Sequence, residues 1–515
     1  MLLPLLIANT SARDAPDSGE GLISCLHDRG LKNVTTMSLS STWEYDVLLN
    51  FSLQNLRFAE PGVRKPYVIV LPQTKEQVKN SVVCCVENGW EIRVRSGGHS
   101  YEGLSYTSDV PFVLIDLMNF DNVHVDTKSM TATAWVEAGA TLGQVYSGIA
   151  NKTNNHAFPA GICPTVGTGG HIAGGGLSFL SRKYGVAADN VIDALLVNAS
   201  GEIMDKKAMG DDVFWALRGG GGGSWGVMIA WKIKLVSVPT IVTAFQVSRT
   251  GRDVVTDTIH RWQYIMPFVE EDLFMRVQFF GINVKGGTKK DMNASFQRMY
   301  LGRKEQFLKI VNITFPELKM ADDECSEMSW IESTSFIGGT ANVSELTDRY
   351  YSNKVHFKIK SDMATTPLPK SGLQGLWDIM EEEVNAYAIF SPLGGIMDRI
   401  PPSAIPFPHR AGNIFDIQYK VVWNNSSDDE HYLNWMRKLY AYMAPYVSSS
   451  PRSAYVNYLD LDLGSAVNGT ATVEEAEAWG KKYFRDNFDR LVKAKTEVDP
   501  HNFFRNSQSI PPRNN

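Results

Sequence analysis

The sequence predicts an α+β fold: a strand–helix–strand lobe over residues 62–238, then an antiparallel sheet backed by helices over 239–454. Three observations predict it. The chain has 515 residues, too many for one hydrophobic core. From Pro66 onward, short β-branched runs alternate with a helical segment. At Val238-Pro239 the texture shifts to longer strand-like runs separated by long amphipathic segments.

Taken in order, residues 15–60 read as short helices, near 21–26 and 45–53. Tyr67-Val-Ile-Val-Leu71 is a β-branched run closed by Pro72, hence a strand. Thr74 to Cys84 has helical spacing and opens on a capping box. Glu91–Arg95 alternates as a strand does, and Phe112–Asp116, Leu195–Val197 and Val227–Trp231 are further strands. Beyond Pro239, Ile241–Val247 and Leu273–Phe279 read as strands, and Ser295–Ile310, Leu373–Glu383 and His431–Ala444 as amphipathic segments. After Tyr455 come Leu-Asp-Leu-Asp-Leu463, helices near Val473–Val492 and a Pro-rich tail.

An apolar content of 43% and a charged content of 21% are those of a globular protein, and a formal net charge of -6 leaves no nucleic-acid footprint. No stretch approaches the roughly 20 apolar residues of a membrane span. Met1–Ala8 is either the end of a signal peptide, at the short limit of its ~7–15-residue apolar core, or an unstructured end. Asn-X-Ser/Thr acceptors at Asn9, Asn33, Asn50, Asn151, Asn198, Asn293, Asn312, Asn342, Asn424, Asn425 and Asn468 favour a secreted chain. The compartment expected is therefore the secretory pathway, ending outside the cell or in a vacuole. A monomer is expected, with no nucleic-acid, membrane or metal partner. The five cysteines leave an odd count, so at least one thiol is free or otherwise bonded.

The chemistry concentrates in two glycine-rich runs. One is Arg95-Ser-Gly-Gly-His99-Ser-Tyr-Glu-Gly-Leu-Ser-Tyr106. The other is Pro159-Ala-Gly-Ile-Cys163-Pro-Thr-Val-Gly-Thr-Gly-Gly-His171-Ile-Ala-Gly-Gly-Gly176. Each places a nucleophilic side chain where backbone can approach a large flat ligand. Backbone amides in such turns cradle a pyrophosphate, and segments 95–100, 167–176 and 219–226 are the candidates. The Gly219–Gly223 run lacks the Lys-Ser/Thr of a P-loop, which argues against an ATP site.

With Ala216-Leu-Arg-Gly-Gly-Gly-Gly-Gly-Ser-Trp-Gly226 following, the two motifs resemble the berberine bridge enzyme-like family of plant flavoproteins. That family has a two-lobed, PCMH-type (VAO-like) FAD-binding domain, and its relatives include cannabinoid synthases and monolignol oxidoreductases. The similarity runs from Cys25 to the Gln508-Ser-Ile-Pro-Pro512 tail. It implies that 1–61 and 455–515 complete the FAD domain, and that Cys25 and Cys84 pair in a disulfide, leaving Cys85 and Cys325 as thiols. It implies FAD bonded through its 8α-methyl to His99 and through C6 to Cys163. Around it, Arg95, Ser96, Gly97, Gly98, Ser100, Gly167, Gly170, Gly175, Gly176, Gly226, Val227 and Tyr458 would bind the cofactor. His171 either contacts the N1–C2 edge or is satisfied by backbone in a tight turn. Val166, three residues after Cys163, matches the position that controls oxygen access, and valine there resembles an oxidase.

The departures are equally specific. Gln418 stands where the alkaloid-closing members have a glutamate base, and glutamine accepts no proton in the working pH range. Asp416 stands where monolignol-type members have a lysine, and Leu177 where Tyr or Phe is expected. Residues 416, 418 and 420 share one strand face, which sets Asp416 beside Gln418. Tyr458 matches the base of cannabinoid-forming members. Tyr455 and Tyr101 match substrate contacts. A phenol needs a neighbour to stabilise its phenolate, and a carboxylate does the opposite. The catalytic candidates are Tyr458, Gln418, Asp416 and Tyr101.

The expected activity is an FAD-linked oxidase: a plant phenol, prenylated phenol, alkaloid, monolignol or sugar gives hydride to the flavin, and O2 becomes hydrogen peroxide. Two other readings stand beside it. One is a cyclase of Diels–Alder type that keeps FAD as a wall and does no net redox chemistry. The other is a flavin-binding protein with little turnover.

Overall fold

The computed structural model describes residues 19–36, 42–284, 290–467 and 469–513. The leader reading of Met1–Ala8 and the acceptors Asn9 and Asn468 lie outside the described residues.

The first sheet has the order Val34–Thr36, Val68–Val70, Phe112–Asp116, Glu91–Arg95, with the last three strands parallel. Every residue of Val68–Val70 and Phe112–Asp116 is buried, as parallel strands covered on both faces require. The helix Lys75–Glu87 makes the crossover between the parallel strands. Its start is half of the expected capping box. Thr74 Oγ1 accepts from the Gln77 amide at 3.2 Å, but Gln77 Oε1 accepts from the amide of Gln73 rather than that of Thr74.

A second sheet follows, in the order Val123–Asp126, Thr133–Glu137, Val227–Lys234, Val191–Val197, Ile203–Met204. All its pairings are antiparallel, so strand–helix–strand alternation describes only the front of the 62–238 stretch. The physical reason is connection length. Asp126 to Thr133 and Val197 to Ile203 are short returns, which only antiparallel neighbours permit.

A seven-stranded sheet carries the region after Pro239: Cys325–Ser329, Ile241–Thr250, Lys290–Tyr300, Leu273–Asn283, Ala386–Pro392, Phe415–Trp423, His356–Ala364. Helices Arg252–Ile265, Lys370–Met380 and Asp429–Met443 cover one face and bury a core that includes Trp262, Trp377, Phe390 and Tyr419. The segment expected to be amphipathic over Ser295–Ile310 splits. It is strand to Tyr300 and helix only from Lys304. Pairing with neighbours on both sides claims the first half, and Gly302 lies in the break between the two elements. Leu461–Leu463 forms a single 3₁₀ turn.

The C-terminal helices Val473–Phe484 and Phe488–Val498 share a hydrophobic core with the first two sheets, Leu491 and Val492 joining Val213, Leu217 and Trp225. The tie is polar as well. Buried Lys495 donates to the carbonyls of Ser224 and Phe504, both at 2.6 Å, and to Asp499 at 2.8 Å. The last residues are thus bound to the end of the Gly219–Gly226 run. Cys25 and Cys84 form the disulfide, linking helix Glu20–Asp28 to Lys75–Glu87, while Cys85 and Cys325 are buried thiols. Asn33, Asn50, Asn151, Asn312, Asn342, Asn424 and Asn425 are exposed, as glycan acceptors must be. Asn198 is not such a site: it is buried, and its Nδ2 donates to Glu202 at 2.9 Å.

Candidate active site

Both glycine runs, the seven-stranded sheet and the C-terminal segment meet at one cavity of about 530 Å³. Gly98 shows why the loops can meet. A Cβ there would lie 1.6 Å from the Ser52 carbonyl oxygen, and one on Gly97 would lie 2.3 Å from the Gly167 amide nitrogen. Backbone packed against backbone sets His99 and Cys163 on either side of one hydroxyl. Thr165 Oγ1 is 2.9 Å from His99 Nε2 and 3.5 Å from Cys163 Sγ. Burial, aided by the Lys420 charge, pushes the His99 imidazole down to about 4. It is neutral at physiological pH, the state a nucleophile needs.

Of the glycines in the segments expected to cradle a cofactor, Gly170 and Gly222 present bare backbone, whereas Gly97, Gly98, Gly167 and Gly226 pack against neighbouring chain. A Cβ on Gly170 would meet nothing within 4 Å, and one on Gly222 would come no nearer than 3.6 Å to any atom. These residues and Ser96, Gly97, Gly98, Ser100, Val166, Gly167, His171 and Gly226 line the cavity. A bare backbone strip leading to two paired nucleophiles fits an extended dinucleotide with a reactive ring at one end. His171 has both features considered for it. It lines the cavity, and its Nε2 accepts from the Gly161 amide at 3.0 Å; burial lowers it to about 4.

Four candidates are not brought to the cavity wall. Arg95 turns away: its Nε donates to Asp116 at 2.7 Å and its other nitrogens to the carbonyls of Leu48 and Leu49, so it braces the helix Thr42–Phe51. Gly175 and Gly176 lie behind the wall, where the Gly176 amide donates to Tyr455 Oη at 2.9 Å. Val227 is wholly buried in its strand.

At the sheet side, Tyr101 and Tyr458 stack with centroids 5.6 Å apart, and Gln418 Nε2 donates to Tyr101 Oη at 2.9 Å. Beneath this pair, buried Lys358 reaches both Glu102 and Asp460, and Lys360 binds Asp460 and Asp462. That network fastens the segments after Tyr101 and Tyr458 to the strand His356–Ala364. Tyr455 Oη accepts from the amides of Gly176 and Leu177 and from Asn457 Nδ2, which makes it a brace. Burial, with Tyr101 and Asp416 adding to it, raises Tyr458 well above the ordinary phenol range. Asp416 is the single carboxylate among the described residues of the wall. Burial pushes it up to about 7, against the pull of Arg276.

The family model described as "FAD binding domain" matches residues 66–206, and that described as "Berberine and berberine like" matches 454–511. "Berberine bridge enzyme-like D-2" of Nicotiana tabacum is 51% identical over 91% of this chain and 87% of its own. "Tetrahydroberberine oxidase" of Berberis wilsoniae is 46% identical over 99% of this chain and 96% of its own. The solved berberine bridge enzyme from Eschscholzia californica superposes with a TM-score of 0.92 at 43% identity, covering 96% of this chain and 99% of that one. This chain belongs to the berberine bridge enzyme-like family.

As a berberine bridge enzyme-like protein it is an FAD-dependent oxidoreductase. Some of its site was not found in the sequence. Thr165 stands inside the Cys163 motif but carries no signal as a lone threonine. Arg276, Tyr387 and Phe357 come from separate strands of the seven-stranded sheet and meet only in three dimensions. Arg276 had one signal: it is the charged residue in the alternation Leu273-Phe-Met-Arg-Val-Gln-Phe279.

Proposed function

We propose that this berberine bridge enzyme-like protein is an oxidase of a plant specialised metabolite, with FAD bonded to His99 and Cys163. The observation that carries the reading is the convergence of those two nucleophiles on Thr165 Oγ1. When bound there, FAD would supply a two-electron acceptor for oxidation of the substrate, with dioxygen as the terminal oxidant and hydrogen peroxide as its product. Gln418 orients Tyr101, the Tyr101–Tyr458 stack positions a flat substrate, and Asp416 is the group able to take a proton near neutral pH. A cyclase would need no base. The presence of Asp416 on the wall favours the oxidase.

The division of labour proposed with it is a flavin domain of 62–238 completed by 1–61 and 455–515, and a substrate domain of 239–454. The protein acts as a secreted or vacuolar monomer on a small molecule and dioxygen. Phenols, alkaloids, monolignols and sugars form the test panel. Peroxide released on turnover with one of them is the expected result, and a product of summed reactant mass without peroxide would replace the oxidase by the cyclase. Val166 lines the cavity three residues from Cys163. Val166→Leu is expected to slow reoxidation of the reduced protein by oxygen while leaving its reduction largely intact, as read by stopped-flow absorbance. An unchanged reoxidation rate would reduce Val166 to packing.

A further inference from the structure

The sheet wall of the cavity is polar on one side in a way the oxidase reading does not use. Strand pairing sets Gln278 opposite Ile389 and Ile389 opposite Gln418, so alternate residues of three strands share the cavity face. Arg276 is on that face, two residues from Gln278. Among the described residues no hydrogen bond or ion pair engages its guanidinium, and its Nε is buried without a partner. Orphaned buried guanidinium nitrogens are costly, and the cost is removed when an acceptor oxygen arrives. Lys420, farther along the same face, lies over the rings of Phe357 and Tyr387 with no acid within 4 Å among the described residues.

We propose that the substrate carries a carboxylate and that Arg276 is the group that recognises it, an inference that rests on the oxidase reading. The groups facing Arg276 are Asp416, Tyr458 and Tyr387. Tyr458 supplies no anion near neutral pH, since burial raises its phenol far above it. Asp416 lies beyond ion-pair distance, and burial weakens it as a counter-ion by pushing it up to about 7. A planar guanidinium presents parallel N–H donors that match a carboxylate's two oxygens. The aromatic walls, Tyr101, Tyr458 and Phe357, suit a flat body behind that carboxylate.

Benzoate and its neutral isostere benzamide are the probes, titrated calorimetrically into the protein as purified. Benzoate is expected to bind roughly ten- to a hundredfold more tightly. Arg276→Gln is expected to erase that preference while keeping benzamide binding, and Arg276→Lys to restore part of it. Retained benzamide binding shows that the variant cavity is folded. Equal binding of the two probes by the wild-type protein, or an undiminished preference in Arg276→Gln, would overturn the proposal. Peroxide release is read separately on the same preparation, with carboxylate-bearing phenols added to the panel. Its absence with every panel substrate, alongside an Arg276-dependent preference for benzoate, would sink the oxidase reading and leave the carboxylate site standing.

Discussion

Acid precipitation of the purified protein will leave its yellow colour in the pellet. Covalent bonds survive unfolding, whereas a cofactor held by glycine amides and aromatic walls is lost with the cavity. His99→Ala and Cys163→Ala should each retain one bond and stay yellow after denaturation. Mass spectrometry of the peptides should then show a single linkage to the other residue. The double variant should release all its flavin into the supernatant. Loss of all flavin from the wild-type protein would end the two-tether proposal, however well His99 and Cys163 are placed beside Thr165.

Asp416→Asn is expected to slow reduction of the bound flavin by roughly 10²–10⁴-fold, the usual contribution of a general base. Tyr458→Phe should cost much less, about one hydrogen bond or roughly tenfold. The sequence alone favours Tyr458, through its match to a known base. The structure moves the weight, because burial and its neighbours hold that phenol protonated, while Asp416 titrates at about 7. A base acts deprotonated, so the reduction rate should climb as pH rises through about 7 and level off above it. In Asp416→Asn that climb should vanish. Stopped-flow reduction across pH with a turned-over substrate checks both points. A flat profile in the wild-type protein, or a near-normal rate in Asp416→Asn, would remove Asp416 from the role.

The features legible in the sequence are those written in contiguous residues. His99 and Cys163 each announce themselves within a dozen residues, because glycine is demanded wherever loops pack backbone on backbone, as at Gly98. Short buried strands such as Phe112–Asp116 are legible for the same reason: burial on both faces writes an unbroken apolar run. What is not legible depends on residues far apart. Arg95 sits beside the His99 loop in sequence, yet Asp116 pulls its side chain the other way. Ser295–Tyr300 reads as the start of an amphipathic segment until its neighbours on both sides claim its amides. Arg276 shares a cavity face with Asp416 only because the sheet order inserts Ala386–Pro392 between their strands.

The C-terminal segment also sets a schedule. Tyr458, Asn506 and Gln508 help line the cavity, and Lys495 anchors the end of the glycine run through the carbonyl of Ser224. A ribosome delivers these residues last. Both loops that carry His99 and Cys163 have therefore left it long before the cavity has its final wall, and they wait for the tail to arrive. Closure of the chamber belongs to the finished polypeptide rather than the growing one, and a chain stopped short of Lys495 leaves the ribosome with both nucleophiles made and no closed wall around them.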